Sequence, residues 1–236
     1  MGAVVEQTLT GWRLSIPAGD AGHYRLAQLD NCSHLARRDF PYRSLDMRLR
    51  ARISSRAVPG TWGFGVWNDP YRATISLREN PLHMLTLPNA AWFFHSSPDS
   101  YLSFRDDKPG QGFLAQVFCA HRRPLFRLLG VAGTFIFARA AARRMLSRLI
   151  AEYAVTLNID VTQWHSYRVS WNPDRVVFEV DDIVLLESEV SPQPPLGAVI
   201  WIDNQFAAFT PQGRVASGTL ANPSTRLEIE ALVLKT

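Results

Sequence analysis

Cysteine is scarce in this chain of 236 residues, which contains only Cys32 and Cys119. Two cysteines cannot supply the disulfide framework that stabilises many small secreted domains. The first residues, MGAVVEQTLTGWRL, also lack a charged segment followed by a long apolar run, so no signal peptide is predicted. We therefore expect reduced thiols and a cytoplasmic protein.

Patterns that bind metals or span membranes are missing as well. The six histidines form no HxH or HExxH spacing, so the sequence predicts no metal site, and nothing in it indicates another cofactor. A transmembrane helix needs about 20 predominantly apolar residues. The best candidate, residues 124–138, has 15 residues and contains Arg127. We therefore expect that this stretch does not span a membrane.

Lysine is also rare. Of the 25 basic residues, only Lys108 and Lys235 are lysines, and the others are arginines. Residues 121–151 carry seven arginines and no acidic residue, whereas the rest of the chain has 18 basic and 21 acidic residues. A nucleic-acid-binding protein would be expected to spread basic side chains along a groove or to carry a recognition motif. Neither is visible, so nucleic acid is not an expected partner.

The chain does contain many alternating apolar and polar segments bounded by turn residues. The clearest is 164–188, in which two alternating runs flank an Asn-Pro-Asp turn and a third follows Asp181-Asp182. This alternation is typical of half-buried strands joined by hairpins. Further predicted strands cover residues 8–16, 24–29, 45–54, 61–67, 90–95, 101–105, 112–118, 198–203 and 226–234. Together they predict an all-β sandwich that forms a single domain over residues 1–236.

The periodicity becomes helical between residue 124 and about residue 151, within a basic amphipathic insertion predicted at 121–155. Four arginines lie on the polar face of this helix: Arg139, Arg143, Arg144 and Arg148. Such a helix could dock at a membrane surface, which would make the protein peripheral to the membrane. It could also dock against a second copy of the chain, as in a homo-oligomer. Alternatively, its apolar face could pack on the body and leave the arginines in solvent.

Three segments resemble the concanavalin A-like jelly roll of laminarinase-type glycoside hydrolases, family 16. Residues 58–67, VPGTWGFGVW, are similar to the family's Pro-Gly-x-Trp-x-x-x-Trp strand. Residues 164–182 resemble its His-x-Tyr-x-x-x-Trp hairpin, which ends in Val-Asp-Gly, and residues 227–234 resemble its closing strand. The matching hairpin positions are His165, Tyr167, Trp171, Val180 and Asp181. This resemblance covers about residues 45–118 and 160–236 and implies a jelly-roll sandwich with a trough on its concave sheet.

The catalytic motif of that family is missing from the chain. In the family, a strand reading Glu-x-Asp-x-(x)-Glu places two carboxylates about 5–5.5 Å apart, which is the retaining geometry. The corresponding strand here, residues 90–95, reads AAWFFH and has no carboxylate. The resemblance therefore implies a fold, and hydrolysis by two carboxylates is not expected, because a fold alone does not carry function.

Aromatic and amide side chains on the predicted concave strands are candidates for ligand contacts. The candidates are Trp62, Trp67, Trp92, Phe94, Trp201, Asn204 and Gln205. Trp67 shares a strand face with Gly63 and Gly65, which would leave room for a ligand. The alternative is that the aromatic side chains fill the core between the sheets and that the amides only form the turn that ends their strand.

Two functions fit these residues. The first is a binding protein that holds a carbohydrate or an apolar small molecule without hydrolysing it. The second is an enzyme of different chemistry, such as an isomerase, cyclase or lyase, in which His95 pairs with Asp69 or Asp203 as acid and base. The second function requires that the His95 ring lies within hydrogen-bond reach of one of these carboxylates.

Overall fold

The structure is a computed structural model that describes residues 2–70, 87–120, 139–212 and 215–236. The strands are β1 (Val4–Gln7), β2 (Gly11–Ile16), β3 (Leu26–Asp30), β4 (Leu45–Ile53), β5 (Thr61–Trp67), β6 (Ala90–Ser96), β7 (Gly112–Ala120), β8 (Ile150–Thr156), β9 (His165–Asn172), β10 (Arg175–Val180), β11 (Ile183–Ser188), β12 (Gly197–Asp203), β13 (Gln205–Phe209), β14 (Val215–Thr219) and β15 (Thr225–Lys235). One α-helix, α1 (Arg139–Leu149), and one 3-10 helix, Arg37–Asp39, complete the described elements.

The strands form two large antiparallel sheets and one small hairpin. The seven-stranded sheet has the order β1-β2-β15-β4-β9-β10-β11, and the six-stranded sheet has the order β3-β12-β5-β6-β7-β8. Strands β13 and β14 pair only with each other. This arrangement confirms the predicted all-β sandwich, with two layers that enclose one core.

The alternation in β4 explains how the seven-stranded sheet faces both the core and water. Leu45, Met47 and Leu49 are buried between the sheets, whereas the intervening side chains point outward. There Arg50 forms an ion pair with Glu230 of the neighbouring strand β15. A period of two therefore sets the register, because a shift by one residue would expose the apolar side chains.

Aromatic edge-to-face contacts join the two sheets at the centre of the core. The ring of Tyr167 on β9 packs against Phe64 and Phe93 of the six-stranded sheet, with centroids 5.1 and 5.0 Å away. Phe178 on β10 also contacts Phe93, at 5.2 Å and nearly perpendicular. Such contacts add to the free energy gained by burying the rings.

The hairpin that carries the family resemblance forms as predicted, as β9, β10 and β11. Its second turn places Asp181 and Asp182 at positive φ, 51° and 64°. The Asp181 carboxylate accepts a hydrogen bond from the Ser166 backbone N–H, and its other oxygen lies 2.6 Å from Nδ1 of His165. In this structure His165 therefore fixes a hairpin turn of the seven-stranded sheet.

The helical prediction for residues 121–155 is wrong for its last part. Helix α1 ends at Leu149, and the following residues form strand β8, which pairs with β7 along its whole length. Ile150, Glu152 and Ala154 are buried on one side of β8, so the segment follows a period of two. Residues 121–138 lie outside the described residues. The strand predicted at 101–105 is also wrong, since only Tyr101 forms a bridge, with Ala208.

A cleft on the outer face of the six-stranded sheet

The six-stranded sheet is apolar on both faces. The side chains of Trp62, Phe64 and Val66 on β5 point into the core between the sheets. On the opposite face, a second cluster contains Trp67 of β5 and Trp201 of β12. That face carries the sequence-predicted aromatic floor, which also includes Trp92 and Phe94 of β6.

The four aromatic rings of this floor contact one another. Trp67 and Trp201 are nearly parallel, with an interplanar angle of 10° and ring centroids 6.1 Å apart. Phe94 lies 5.9 Å from Trp201 and 5.4 Å from Trp92. Trp92 is the innermost ring, only 1% exposed, because it also packs against Phe118.

Part of this floor lies open to a cleft of about 330 Å³, which we call the aromatic cleft. It is lined by Tyr24, Leu26, Gln28, Ser33, Thr61, Trp67, Asp69, Phe94, Leu102, Trp201, Asp203, Gln205, Phe206 and Ala207. Of the predicted ligand contacts, Trp67, Phe94, Trp201 and Gln205 therefore reach the cleft. Trp92 lies beneath them, outside the lining.

The two glycines of β5 make room for neighbouring rings, and not directly for a ligand. A Cβ atom at Gly63 would lie 2.8 Å from the Trp201 ring, and one at Gly65 would lie 2.7 Å from the Trp92 Cβ. Gly63 thus leaves space for the Trp201 ring, and both glycines allow the backbone of β6 to approach closely, since an added Cβ at either position would clash with a backbone oxygen of β6. The space predicted beside Trp67 is therefore occupied by the Trp201 ring and the backbone of β6. The open volume of the cleft lies above the rings.

Asp203, the last residue of β12, is the buried polar group of the cleft. Its carboxylate accepts hydrogen bonds from the Thr61 backbone N–H and hydroxyl, at 3.2 and 2.9 Å, and from the Gln205 backbone N–H at 3.1 Å. The Tyr24 hydroxyl donates to the other oxygen at 3.3 Å. Burial raises the pKa of Asp203 to about 7, although these hydrogen bonds act in the opposite direction.

Replacement of Asp203 by Asn is expected to change how stability depends on pH. Because the folded state favours the protonated carboxyl, the contribution of Asp203 to stability is greatest at low pH. It falls as pH rises from the unfolded pKa near 3.8 to the folded value of about 7. Relative to Asp203→Asn, the loss should approach about 1.4 kcal/mol per pH unit in this window. Chemical denaturation of both proteins between pH 4 and 8 measures it, and parallel pH profiles would contradict it.

His95 does not meet either carboxylate of the predicted acid–base pair. Its ring is on the core face of β6, where it stacks on Trp62 with centroids 5.6 Å apart, and Nε2 lies 3.3 Å from the Val58 carbonyl oxygen. Asp203 is on the other face of the same sheet. Burial lowers the pKa of His95 to about 4, which keeps the ring neutral. The prediction that His95 acts as an acid or base with Asp69 or Asp203 is therefore wrong, and so is the prediction that Trp62 contacts a ligand. Both side chains belong to the core.

Asn204 has a structural role next to the cleft. Its side-chain oxygen accepts a hydrogen bond from the Arg25 backbone N–H, and its amide nitrogen donates to the carbonyls of His23 and Leu220. It is fully buried. The turn interpretation is therefore the one that the structure supports for Asn204, and its side chain does not reach the cleft.

Asp69 lies near the opposite end of the cleft from Asp203. Asp203 pairs with Thr61, the first residue of β5, whereas Asp69 follows Trp67, the last residue. Thr61 and Trp67 are six residue steps apart along β5, so the backbone positions of the two acidic residues are roughly 20 Å apart along the sheet. Hydrolysis with two carboxylates requires a separation of about 5–9.5 Å. The backbone positions of these two acidic residues are farther apart than this range.

Arg143 of α1 is buried and binds residues 103–106. These residues belong to a segment whose Leu102 and Phe104 side chains pack against the outer apolar cluster, and which we call the covering segment. Its guanidinium donates to the carbonyl oxygens of Ser103, Arg105 and Phe209 and pairs with Asp106 at 3.0 Å. It also lies over the Tyr101 and Phe209 rings. The predicted membrane or partner contact is therefore wrong for Arg143. Arg144 and Arg148 are exposed, and the side chain of Arg139 lies outside the described residues.

Glu152 holds the same covering segment from the sheet side. Its carboxylate accepts hydrogen bonds from the Phe104 backbone N–H at 2.8 Å and from the Gln116 side chain at 3.2 Å. Gln116 in turn accepts from the indole N–H of Trp92. Burial raises the pKa of Glu152. This carboxylate is thus enclosed by neutral donors and does not line the cleft.

Sequence reasoning missed several cleft residues, including Tyr24, Gln28, Thr61 and Phe206. Thr61 could have been found, because in the alternation of β5 it shares a face with Trp67. Phe206 belongs to β13, a short strand that no predicted segment covered. Tyr24 and Gln28 come from the chain around β3, for which the sequence pattern gave no indication of contact with β12.

Neither a metal-binding cluster nor a membrane-spanning helix is found in the described parts of the chain. No group of three or more His, Cys, Asp or Glu side chains in these parts could hold a metal ion. No helix there is long and apolar enough to cross a membrane.

No family model matches this chain, and no curated protein matches it in sequence. Similar solved structures include a legume lectin-like domain from Entamoeba histolytica, 12% identical, which covers 99% of this chain and 87% of its own with a TM-score of 0.48. Another is the Bacillus licheniformis beta-glucanase, with 11% identity, 98% and 81% coverage and a TM-score of 0.47. A third is a Crh5 transglycosylase in complex with NAG, with 11% identity, 97% and 74% coverage and a TM-score of 0.48.

Proposed function

We propose that this protein is a non-hydrolytic binding protein that holds a carbohydrate or an apolar small molecule in the aromatic cleft. The observation that carries the proposal is an open cavity of about 330 Å³ over the parallel rings of Trp67 and Trp201. Its volume is at the lower end of the range of ligand sites, about 300–1,000 Å³. The ligand would therefore be small, of about one or two sugar rings.

The lining combines flat apolar surface with a few polar groups, as ligand sites generally do. Trp67 and Trp201, each 5% exposed, supply ring surface that a sugar ring or another apolar group can contact, and the buried Phe94 ring packs against Trp201. Asp203 and Gln205 supply hydrogen-bonding groups at one end of the cleft. Because these polar groups belong to the end of β12 and the start of β13, the sheet fixes their positions relative to the rings.

The alternative of an isomerase, cyclase or lyase depends on a His95 ring in the cleft, and the ring is not there. His95 lies on the other face of the sheet, and among the described residues that line the cleft there is no histidine, lysine or cysteine. Asp203 pairs with the first residue of β5 and Asp69 follows its last residue, so their backbone positions are far apart along the sheet. Binding without hydrolysis is therefore the function that the cleft supports best.

Replacement of Trp67 by Ala tests the proposal, because it removes one wall of the cleft. We expect the affinity of any ligand found for wild type to fall by at least about tenfold, the scale of a lost aromatic contact in a buried site. Ligands are found by titrating neutral oligosaccharides and lipophilic small molecules while tryptophan fluorescence is recorded.

The matched control is Trp164→Ala on the seven-stranded sheet, where the indole lies beneath Arg50 and Arg52. This variant also loses one tryptophan, but its ligand affinity should equal that of wild type. An equal loss of affinity in both variants would argue against the cleft as the site. If neither the oligosaccharides nor the lipophilic compounds change the tryptophan fluorescence of the wild-type protein, the proposed function is wrong.

Docking of residues 124–151 at a membrane or at a second copy of the chain stays a prediction, as does a cytoplasmic, membrane-peripheral location. In the described part of this segment, Arg143 is buried, whereas Arg144 and Arg148 remain available to anionic lipid. Flotation with liposomes that contain anionic lipid tests the prediction, with Arg144→Glu/Arg148→Glu as the variant. Equal flotation of wild type and variant would contradict a role for these arginines.

A further inference from the structure

The charged side chains that line the aromatic cleft, as far as the structure describes them, are all acidic. Among the described residues that line it, Asp69 and Asp203 are acidic, and none is Arg, Lys or His. Asp203 is only 5% exposed, and all of its hydrogen-bond donors are uncharged. A carboxylate in such surroundings gains more from a cation than one in water does, because the local dielectric constant is low.

The rings beside Asp203 favour the same sign of ligand charge. The face of an indole ring carries negative electrostatic potential and attracts ammonium groups, most strongly for tryptophan. Trp201 joins the two features, since its indole N–H donates to the Thr61 hydroxyl at 2.9 Å and that hydroxyl donates to Asp203. The nearly parallel Trp67 ring lies 6.1 Å from Trp201. Aromatic faces and one carboxylate thus meet at the same cavity.

We infer that the ligand of this cleft carries a protonated or quaternary amine, which lies against the tryptophan faces with the Asp203 carboxylate as its counter-charge. This inference rests on the proposed function and adds the chemical class of the ligand. An anionic ligand would be disfavoured, because it would approach a buried carboxylate that has no cationic partner among the described residues. A neutral ligand would gain no charge–charge attraction from ionisation of Asp203.

Few charged groups other than Asp203 act at this end of the cleft. From the segment before β3, Tyr24 contributes its hydroxyl, and from β5 and β13 the contacts are the neutral Thr61 and Gln205. The Arg25 guanidinium is directed to the carbonyl oxygens of Asp20 and His23. Ionisation of Asp203 therefore controls the charge here, and affinity for a permanent cation should rise with pH through the pKa of about 7.

The test compares choline with 3,3-dimethylbutan-1-ol, which has the same shape and no charge. Isothermal titration at pH 8 should show choline bound about tenfold more tightly, and the ratio should fall below about threefold at pH 5.5. Asp203→Asn should abolish the pH dependence of the choline-to-alcohol affinity ratio, which should stay below about threefold at both pH values, because an amide carries no charge. The control Asp182→Asn, on an exposed turn of the seven-stranded sheet, should behave as wild type.

A second arm distinguishes two sources of the amine. A glucosamine disaccharide is compared at pH 7 with its N-acetylated, uncharged form and with a glucuronate disaccharide. Preference for the free amine indicates an amino sugar, and preference for choline alone indicates a non-sugar amine; either result supports the inference. If neutral compounds bind as tightly as their cationic counterparts at both pH values, the inference is overturned and the proposed binding function stands. If no compound of any class binds, the proposed function fails and the inference with it.

Discussion

Arg143→Ala should lower the free energy of unfolding by about 3–5 kcal/mol, because each buried acceptor that loses its donor costs about 1–3 kcal/mol. The guanidinium donates to the carbonyl oxygens of Ser103, Arg105 and Phe209. Alanine would leave these three acceptors without their donor, and unpaired buried acceptors are costly. The pair with Asp106 should contribute little, because the Asp106 side chain is 76% exposed.

The measurement is denaturant unfolding of Arg143→Ala beside Arg144→Ala. Arg144 is adjacent in α1 and exposed, so its replacement should change stability by less than about 0.5 kcal/mol. Arg143→Lys offers a second check, since a lysine ammonium keeps the charge but cannot reproduce the planar fork of donors. Nearly equal stabilities of the two alanine variants would show that Arg143 does not hold the covering segment. The sequence prediction of an exposed Arg143 side chain would then be correct.

Sequence periodicity predicted the fold wherever each strand has one wet face. In β4, β9 and β10 the alternation is visible because polar side chains point outward from the seven-stranded sheet. The same rule failed at residues 150–156. There Ile150, Ala154 and Tyr153 fit a helical pattern as well as a strand pattern, and only pairing with β7 selects the strand. Local sequence cannot supply that information, because the partner strand is about 30 residues away.

The candidate site was predicted in part, for a related physical reason. Strands β5, β6 and β12 are buried on both faces, so every position reads as apolar and the sequence does not say which face is which. Alternation correctly separated Trp62 from Trp67. It could not assign His95, because the face of β6 that looks into the core depends on how β6 pairs with β5. There Trp62 lies opposite His95, and the two rings share the core face.

Trp62→Ala should therefore destabilise the protein strongly and leave the cleft intact. The Trp62 ring is 1% exposed and stacks between His95 and Phe113, with the Phe113 centroid 4.8 Å away. Its removal should lower the free energy of unfolding by about 3–5 kcal/mol, as expected for a large aromatic side chain in a packed core. Thermal or denaturant unfolding measures this loss, and ligand titration under native conditions should give an affinity close to that of wild type.

Phenylalanine variants separate the contribution of the Trp62 ring from that of its N–H group. Within the described part of the chain, the buried indole N–H of Trp62 has no hydrogen-bond acceptor, whereas that of Trp171 donates to the Pro192 carbonyl at 2.9 Å. Trp62→Phe removes an unpaired donor and should cost less than Trp171→Phe, by about 1 kcal/mol. A stable Trp62→Ala protein that had lost ligand binding would instead place this ring in the site. The faces of β5 would then be assigned in reverse, because Trp62 and Trp67 cannot point to the same side of one regular strand.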